Sequence, residues 1–222
     1  MWIAQLWRYP VKSMAGEQLE HVTLRTDGLD GDRVVHVEDV RHRVVTSRSR
    51  PKLLGLHATL GPDGEPRVEG RRWTDEAVTS VVRVAVGSEA RLVRFGGEER
   101  FDILPLLVAT DGAVAAFGYD VRRLRPNIVL GGVPGLAERS WEGKTLRVGG
   151  RDGPIIGIAD LRGRCIMTTY DPDTLEQDVN VLRSIRDRFD GTLALNCSVV
   201  RGGELRVGDP VELADGDGAF TF

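Results

Sequence analysis

Residues 193–213 read Leu193-Ala194-Leu195-Asn196-Cys197-Ser198-Val199-Val200-Arg201-Gly202-Gly203-Glu204-Leu205-Arg206-Val207-Gly208-Asp209-Pro210-Val211-Glu212-Leu213. Three β-prone runs, 193–200, 205–207 and 211–213, are divided by Gly202-Gly203 and by Gly208-Asp209-Pro210. Short apolar runs punctuated in this way predict strand, turn, strand, turn, strand. The same grammar recurs upstream. Trp2 to Trp7 alternates, Leu19 to Leu24 follows, and Leu29-Asp30-Gly31-Asp32 turns the chain into Arg33 to Val37. Arg43 to Thr46 continues the meander. Pro62-Asp63-Gly64 predicts a hairpin between Leu60 and Val68. Val78 to Phe95 reads as two more strands about Gly87. Only two segments carry helical spacing: 111–117, with Thr110 as N-cap, and 181–189, with Asn180 as cap and Leu182, Ile185 and Phe189 on one face. The expected class is mostly β, a closed or nearly closed barrel with a few short helices. A soft boundary falls between Glu98 and Asp102, and Ala214 to Phe222 reads as a frayed end.

The 222 residues suffice for one large β domain or two small ones. A net charge of -3 argues against a bulk nucleic-acid binder. Of the basic residues only Lys12, Lys52 and Lys144 are lysines, which makes Lys12 notable among the arginines. The two cysteines, Cys165 and Cys197, form no CxxC pair, and His21, His36, His42 and His57 show no ligand spacing. Zinc and iron–sulfur sites are therefore not expected, nor is a pyridoxal-phosphate lysine. The N-terminal residues lack the pattern of a signal peptide, and no apolar run approaches the ~20 residues of a membrane span. A reducing cytoplasm is the expected setting, with no disulfide between the cysteines.

Four segments could carry chemistry. Lys12-Ser13, after Tyr9-Pro10-Val11, offers a point charge and a hydroxyl suited to phosphate, or an ordinary exposed loop lysine. In Asp30-Gly31-Asp32-Arg33, Gly31 permits a turn that brings Arg33 over the strand end, or simply closes a surface hairpin. Arg122-Arg123-Leu124-Arg125-Pro126-Asn127-Ile128-Val129-Leu130 crowds three arginines against an apolar strand. They need anionic partners, either a ligand or Asp120, Glu138 and Asp173, while Asn127 could read a heterocycle edge. In Arg162-Gly163-Arg164-Cys165-Ile166-Met167-Thr168-Thr169-Tyr170-Asp171-Pro172-Asp173-Thr174, a thiol sits beside cations that favour its anion. It suits a soft metal, a carried sulfur atom or a small buried hydrophobe. Cys197, in its apolar strand, suits the last of these.

Together these segments resemble the MOSC family, named from the C-terminal domain of molybdenum cofactor sulfurases, and within it the amidoxime-reducing components and their bacterial relatives. The ordered set Tyr9–Ser13, Gly31–Arg33, Arg125–Val129, Arg164–Thr174 and Gly208–Val211 runs across almost the whole chain. The resemblance implies a smaller N-terminal β-barrel-like region, 1–98, followed by a MOSC β-barrel, 99–222. It implies a molybdenum–molybdopterin cofactor between them with Cys165 as the metal ligand. Lys12, Ser13 and Arg33 would hold the cofactor phosphate, and Arg125 and Asn127 would touch it. Gly163 and Arg164 would flank the metal, and Thr110 would add a polar contact. Gly163 stands where relatives often carry serine, so a hydroxyl contact is missing there.

For such a protein the implied activity is reduction of a small N-hydroxylated compound, with electrons from a separate flavin, heme or iron–sulfur protein. Asp171 and Asp173 are the nearest candidate proton donors, although an Asp-Pro-Asp turn is commonly structural. The rival reading is a sulfur carrier or a cofactor carrier using the same cysteine. Nucleic acid and membrane are not expected partners.

Overall fold

The computed structural model describes residues 1–96 and 100–216. The junction at 98/99 and the last part of the expected frayed end therefore lie outside the described residues. The strands at the heart of the molecule are 7 to 10 residues long: Trp2–Arg8, Ile155–Gly163 and Thr192–Arg201. They join an eight-stranded sheet whose order runs from Val211–Ala214 through Thr145–Val148, Ile155–Gly163, Thr192–Arg201, Leu106–Thr110, Ile128–Gly131 and Trp2–Arg8 to Glu17–Leu19. Every pair is antiparallel except Leu106–Thr110 with Ile128–Gly131, which is parallel and crosses over through a helix.

The sheet curls until its ends meet but is not a closed barrel. Ile3 N donates to Asp209 O at 3.0 Å, Gly208 N to Ile3 O at 2.8 Å and Val211 N to Met1 O at 2.9 Å. The closing segment is the Gly208-Asp209-Pro210 turn, and Pro210 has no N–H to extend a ladder, so a single bridge at Trp2 and Pro210 stands where a barrel would need a full pair. The N-terminal half is barrel-like without being closed. It holds three-stranded sheets, 91–94 with 35–38 and 44–45, and 58–60 with 66–68 and 71–72. Strands of two to four residues, interrupted by left-handed backbone at His42 and Glu69, are too short to close.

Helix α1, Glu76–Val86, overturns the expected strand from Val78. Asp75 caps it by accepting from Ala77 N at 2.9 Å, and Val78 and Val82, one turn apart, point into the core. The valine-rich composition signals strand, but the i, i+4 burial and the cap decide for helix. Helix α2, Asp111–Phe117, starts at Thr110 as expected. Helix α3, Val179–Phe189, is capped by Asp178 rather than Asn180 and buries Val181, Ile185 and Phe189.

Two larger cores result. One joins Ile3, Leu6, Val22, Leu24 and Leu29 to residues between Leu106 and Val211. The other lies wholly within residues 11–90. The first 29 residues thus supply strands to the larger core, and Gly203–Arg206 pairs back with His21–Arg25. No described helix is long and apolar enough to cross a membrane.

Leu6 is fully buried where the first strand crosses the sheet. Leu6→Ala is expected to cost about 2–5 kcal/mol in urea unfolding. Val84→Ala, on the exposed face of α1, is expected to stay within about 0.5 kcal/mol of wild type.

Candidate functional site

Strand ends converge on one cavity of about 410 Å³. Lys12 and Ser13 reach it from the loop after the first strand. Arg33 arrives from the turn at Gly31, whose φ of +76° suits glycine and which packs against Leu60. Leu124, Arg125 and Asn127 precede Ile128–Gly131, and Arg162 to Cys165 leave the end of Ile155–Gly163. Its described lining holds the cations Lys12, Arg33, Arg48, Arg123, Arg125, Arg162 and Arg164, against one carboxylate, Asp102.

Cys165 sits at the point where the strand breaks. Its backbone is extended and caps a 3-10 turn, Ile166–Thr169, with Thr168 Oγ1 donating to Cys165 O at 2.9 Å. The thiol is half-buried on the cavity wall, and it is free, as is Cys197. Cys197 is fully buried, and burial pushes its thiol up in pKa, consistent with a small core hydrophobe.

The arginines around the thiol are poorly partnered. Arg164 donates to Leu124 O at 2.7 Å, but its buried Nε has no partner among the described residues. Burial, then the neighbouring Arg162, push its pKa down to about 10, while the Cys165 and Tyr9 sites pull the other way. The Arg125 guanidinium lies 4.2 Å from the Tyr9 ring and makes no hydrogen bond among the described residues. Its pKa is also pushed down to about 10, chiefly by burial. Buried guanidinium groups without carboxylates are costly, and an incoming anion offsets that cost.

Tyr9 is the hub beneath them. Its N–H donates to Asp32 Oδ1 at 2.7 Å, its hydroxyl donates to Pro126 O at 3.2 Å, and Arg33 lies over the same ring at 4.9 Å. Gly16 leaves room for it, since a Cβ there would meet Arg8 O at 2.2 Å and the Tyr9 ring at 2.5 Å. Asp32 is buried and paired with Arg33.

Of the residues expected in the site, Lys12, Ser13, Arg33, Arg125, Asn127, Gly163, Arg164 and Cys165 line this cavity. Thr110 does not. Its hydroxyl accepts from Ala113 N at 3.2 Å as the α2 cap and bonds Glu138 at 3.2 Å, which makes it a buried helix cap. The Asn127 amide is also taken up within the protein, donating to Trp7 O and Asp32 and accepting from Leu107 N, so it positions Asp32 and Arg33. Asp171 accepts from Asp173 N and Thr174 N at 3.0 Å and pairs with Arg123 at 2.9 Å. Asp173 pairs with Arg122 through both oxygens at 2.8 Å. These contacts hold both carboxyls below the usual range, so neither stores a proton near neutral pH.

Arg48 and Asp102 escape the sequence reading, while Arg123, Arg162 and Tyr9 fall in segments read for chemistry but not among the expected cofactor contacts. Arg48 lies in a turn with no motif, and Asp102 looks like a boundary residue until the chain folds. A second cavity of about 560 Å³ adjoins the first across Arg123, Arg125 and Met167, and Trp7, Tyr9, Tyr170 and Leu54 give it an aromatic and apolar wall.

Family models match both halves of the chain: the MOSC N-terminal beta barrel domain over residues 1–92 and the MOSC domain over residues 109–212. The chain belongs to the MOSC family. That membership carries a molybdenum-related role at the level of the family. This MOSC chain is 25% identical over 285 residues to mitochondrial amidoxime reducing component 2 of Macaca fascicularis, covering 94% of the chain and 82% of that protein. It is 25% identical over 287 residues to mitochondrial amidoxime-reducing component 1 of Homo sapiens, covering 95% and 82%. Among solved structures, the YUAD protein from Bacillus subtilis aligns over 97% of this chain and 99% of its own, with a TM-score of 0.49 and 14% identity.

Burial pushes the Tyr9 hydroxyl up to about 12, with the adjacent arginines opposing. Its folded pKa exceeds the unfolded value, so the folded state holds the extra proton. Its contribution to stability is complete below pH ~10 and is lost as pH rises toward ~12. The 295 nm titration of wild type minus Tyr9→Phe is expected to show a midpoint near 12 in the native protein and near 10 in guanidinium.

Proposed function

We propose that this MOSC protein is a molybdenum-cofactor oxidoreductase that reduces small N-hydroxylated compounds. The observation that carries the reading is the meeting of a free, half-buried thiol with half-buried, under-partnered arginines in one cavity, the Arg164 Nε buried without a partner among the described residues. The donor set fits a molybdopterin. Cys165 supplies a thiolate of the kind a molybdenum centre takes. Arg125 and the Nε of Arg164 offer unused donors for an anionic, oxygen-rich group.

On this reading Lys12, Ser13 and Arg33 hold the cofactor phosphate, Arg125 and Arg164 neutralise the cofactor beside the metal, and Cys165 is the ligand. Gly163 leaves open space beside it, since a Cβ there would meet nothing within 4 Å. Asn127 serves through Asp32 and Arg33. Of the two proposed regions, 1–98 contributes Lys12, Ser13 and Arg33 to the cavity and 99–222 contributes Arg125, Arg164 and Cys165. When bound, the cofactor supplies two-electron cleavage of an N–O bond, with water leaving and electrons arriving from a separate flavin, heme or iron–sulfur protein. The second cavity takes the organic part of the substrate against Trp7 and Tyr170, and Arg123, Arg125 and Met167 line the passage between the chambers. The two protons that accompany the two electrons come from solvent, because Asp171 and Asp173 are held as carboxylates. A cytoplasmic setting suits the free thiol.

The test uses full-length protein made in a host that assembles the cofactor. Wild type is expected to carry stoichiometric molybdenum by mass spectrometry and to reduce an N-hydroxylated test compound with an artificial donor. Cys165→Ala is expected to lose both. Metal that survives the substitution unchanged sinks the assignment of the ligand. Molybdenum without turnover, or a persulfide on Cys165 without molybdenum, replaces the reductase with a cofactor carrier or a sulfur carrier.

A further inference from the structure

Asp102 is the single carboxylate among the described residues lining the cationic cavity. Lys12 Nζ lies 2.8 Å from it, Arg48 hydrogen bonds it, and Arg162 stands 3.9 Å away. These cations come from three separate parts of the chain. Arg48 makes no other side-chain hydrogen bond among the described residues, and the other partner of Lys12 Nζ is a backbone oxygen, Arg100 O, at 2.9 Å. Several cations converging on one small anion is the arrangement that binds a phosphate group, here with a carboxylate at its centre.

We propose that Asp102 is a resident anion occupying a phosphate subsite formed by Lys12, Arg48 and Arg162, and that a ligand phosphate displaces it. The step deepens the function proposed above and rests on it in taking the cavity as an anion site. It adds Arg48 and Arg162 to the phosphate contacts. Burial alone would raise the Asp102 pKa, but Lys12, Arg48 and Arg162 hold it below the usual range, so the resident group is an anion at neutral pH. Its side chain is about a third exposed, at 31%, which gives it a route to water when it is displaced.

The consequences are directional. Without a ligand, the carboxylate neutralises cations that would otherwise repel one another. With a phosphate bound, Lys12 and Arg48 exchange a monoanion for a group carrying about −1.5 to −2 charge. The displacement raises the threshold for every anion, so weak monoanions do not fill the site. A residue that merely oriented Lys12 toward the ligand would act in the opposite sense, and its removal would weaken phosphate binding.

The test is titration calorimetry of inorganic phosphate into the full chain made without the molybdenum cofactor. Asp102→Asn is expected to bind phosphate about tenfold more tightly than wild type, as removal of a competing charge a few ångströms from the site requires. It is also expected to melt lower without phosphate and to gain more from phosphate in thermal melts. Arg48→Gln in the Asp102→Asn background is expected to reverse the gain by about fivefold or more, because Arg48 then contacts phosphate directly. Arg48 is partly exposed, so this change leaves the fold intact, and Asp102→Ser repeats the experiment where the asparagine variant does not fold.

Unchanged or weaker phosphate affinity in the Asp102 variants overturns the assignment, as does a gain that Arg48→Gln leaves untouched. Neither arm needs molybdenum. Protein that passes both arms but takes up no molybdenum keeps the subsite and loses the proposed reductase. Molybdenum-loaded protein that fails here loses only the subsite.

Discussion

Burying positive charge without an equal number of carboxylates is the constraint around which this molecule is built. Arg125 and Arg164 are desolvated far enough to lower their affinity for a proton, and neither has an acidic hydrogen-bond partner among the described residues. A fold tolerates that cost only where the surrounding structure holds the groups in place and where another favourable interaction offsets it. Here the Tyr9 ring supplies part of the offset by lying under Arg125 and Arg33. Asp32 and Asp102 supply another part, and a bound anion is the natural source of the rest.

The architecture explains how these cations come to share one space. The large sheet takes strands from both halves of the chain, and the first strand packs in the same core as the last. Strand ends therefore bring residues 12, 33, 125 and 164 to one cavity. Left-handed backbone at Ser13, Arg33 and Arg125 marks the places where the chain turns sharply to present side chains there. Non-glycine residues in that conformation carry local strain, and three of them on one cavity wall fit a binding site better than a set of ordinary turns.

The two cavities differ in what they hold beside their shared arginines. The first is cationic and contains the thiol. The second sets Trp7, Tyr9, Tyr170 and Leu54 beside the polar Glu17, Gln18 and His57, and its boundary with the first runs along Arg123, Arg125 and Met167. Asp171 pairs with Arg123 on that boundary, and Asp173 pairs with Arg122 in the second cavity's wall.

Local patterning settled much before folding. Glycine and Asp-Pro punctuation placed most of the strands, and the Thr110 cap placed α2, because these are short-range steric and hydrogen-bonding rules. The motif order also pointed to Cys165, Lys12 and Arg125. It misjudged α1, where valine content favours strand while capping by Asp75 and burial of Val78 and Val82 favour helix. It also treated Thr110 and Asn127 as ligand contacts, whereas Glu138, Asp32 and Trp7 engage them. Only the tertiary structure could show that Arg48, Arg162 and Asp102 meet Lys12, or that Pro210 leaves the barrel seam as a single bridge. Those contacts join residues dozens of positions apart, and the energy of a charge depends on what the fold brings beside it, which no local pattern encodes.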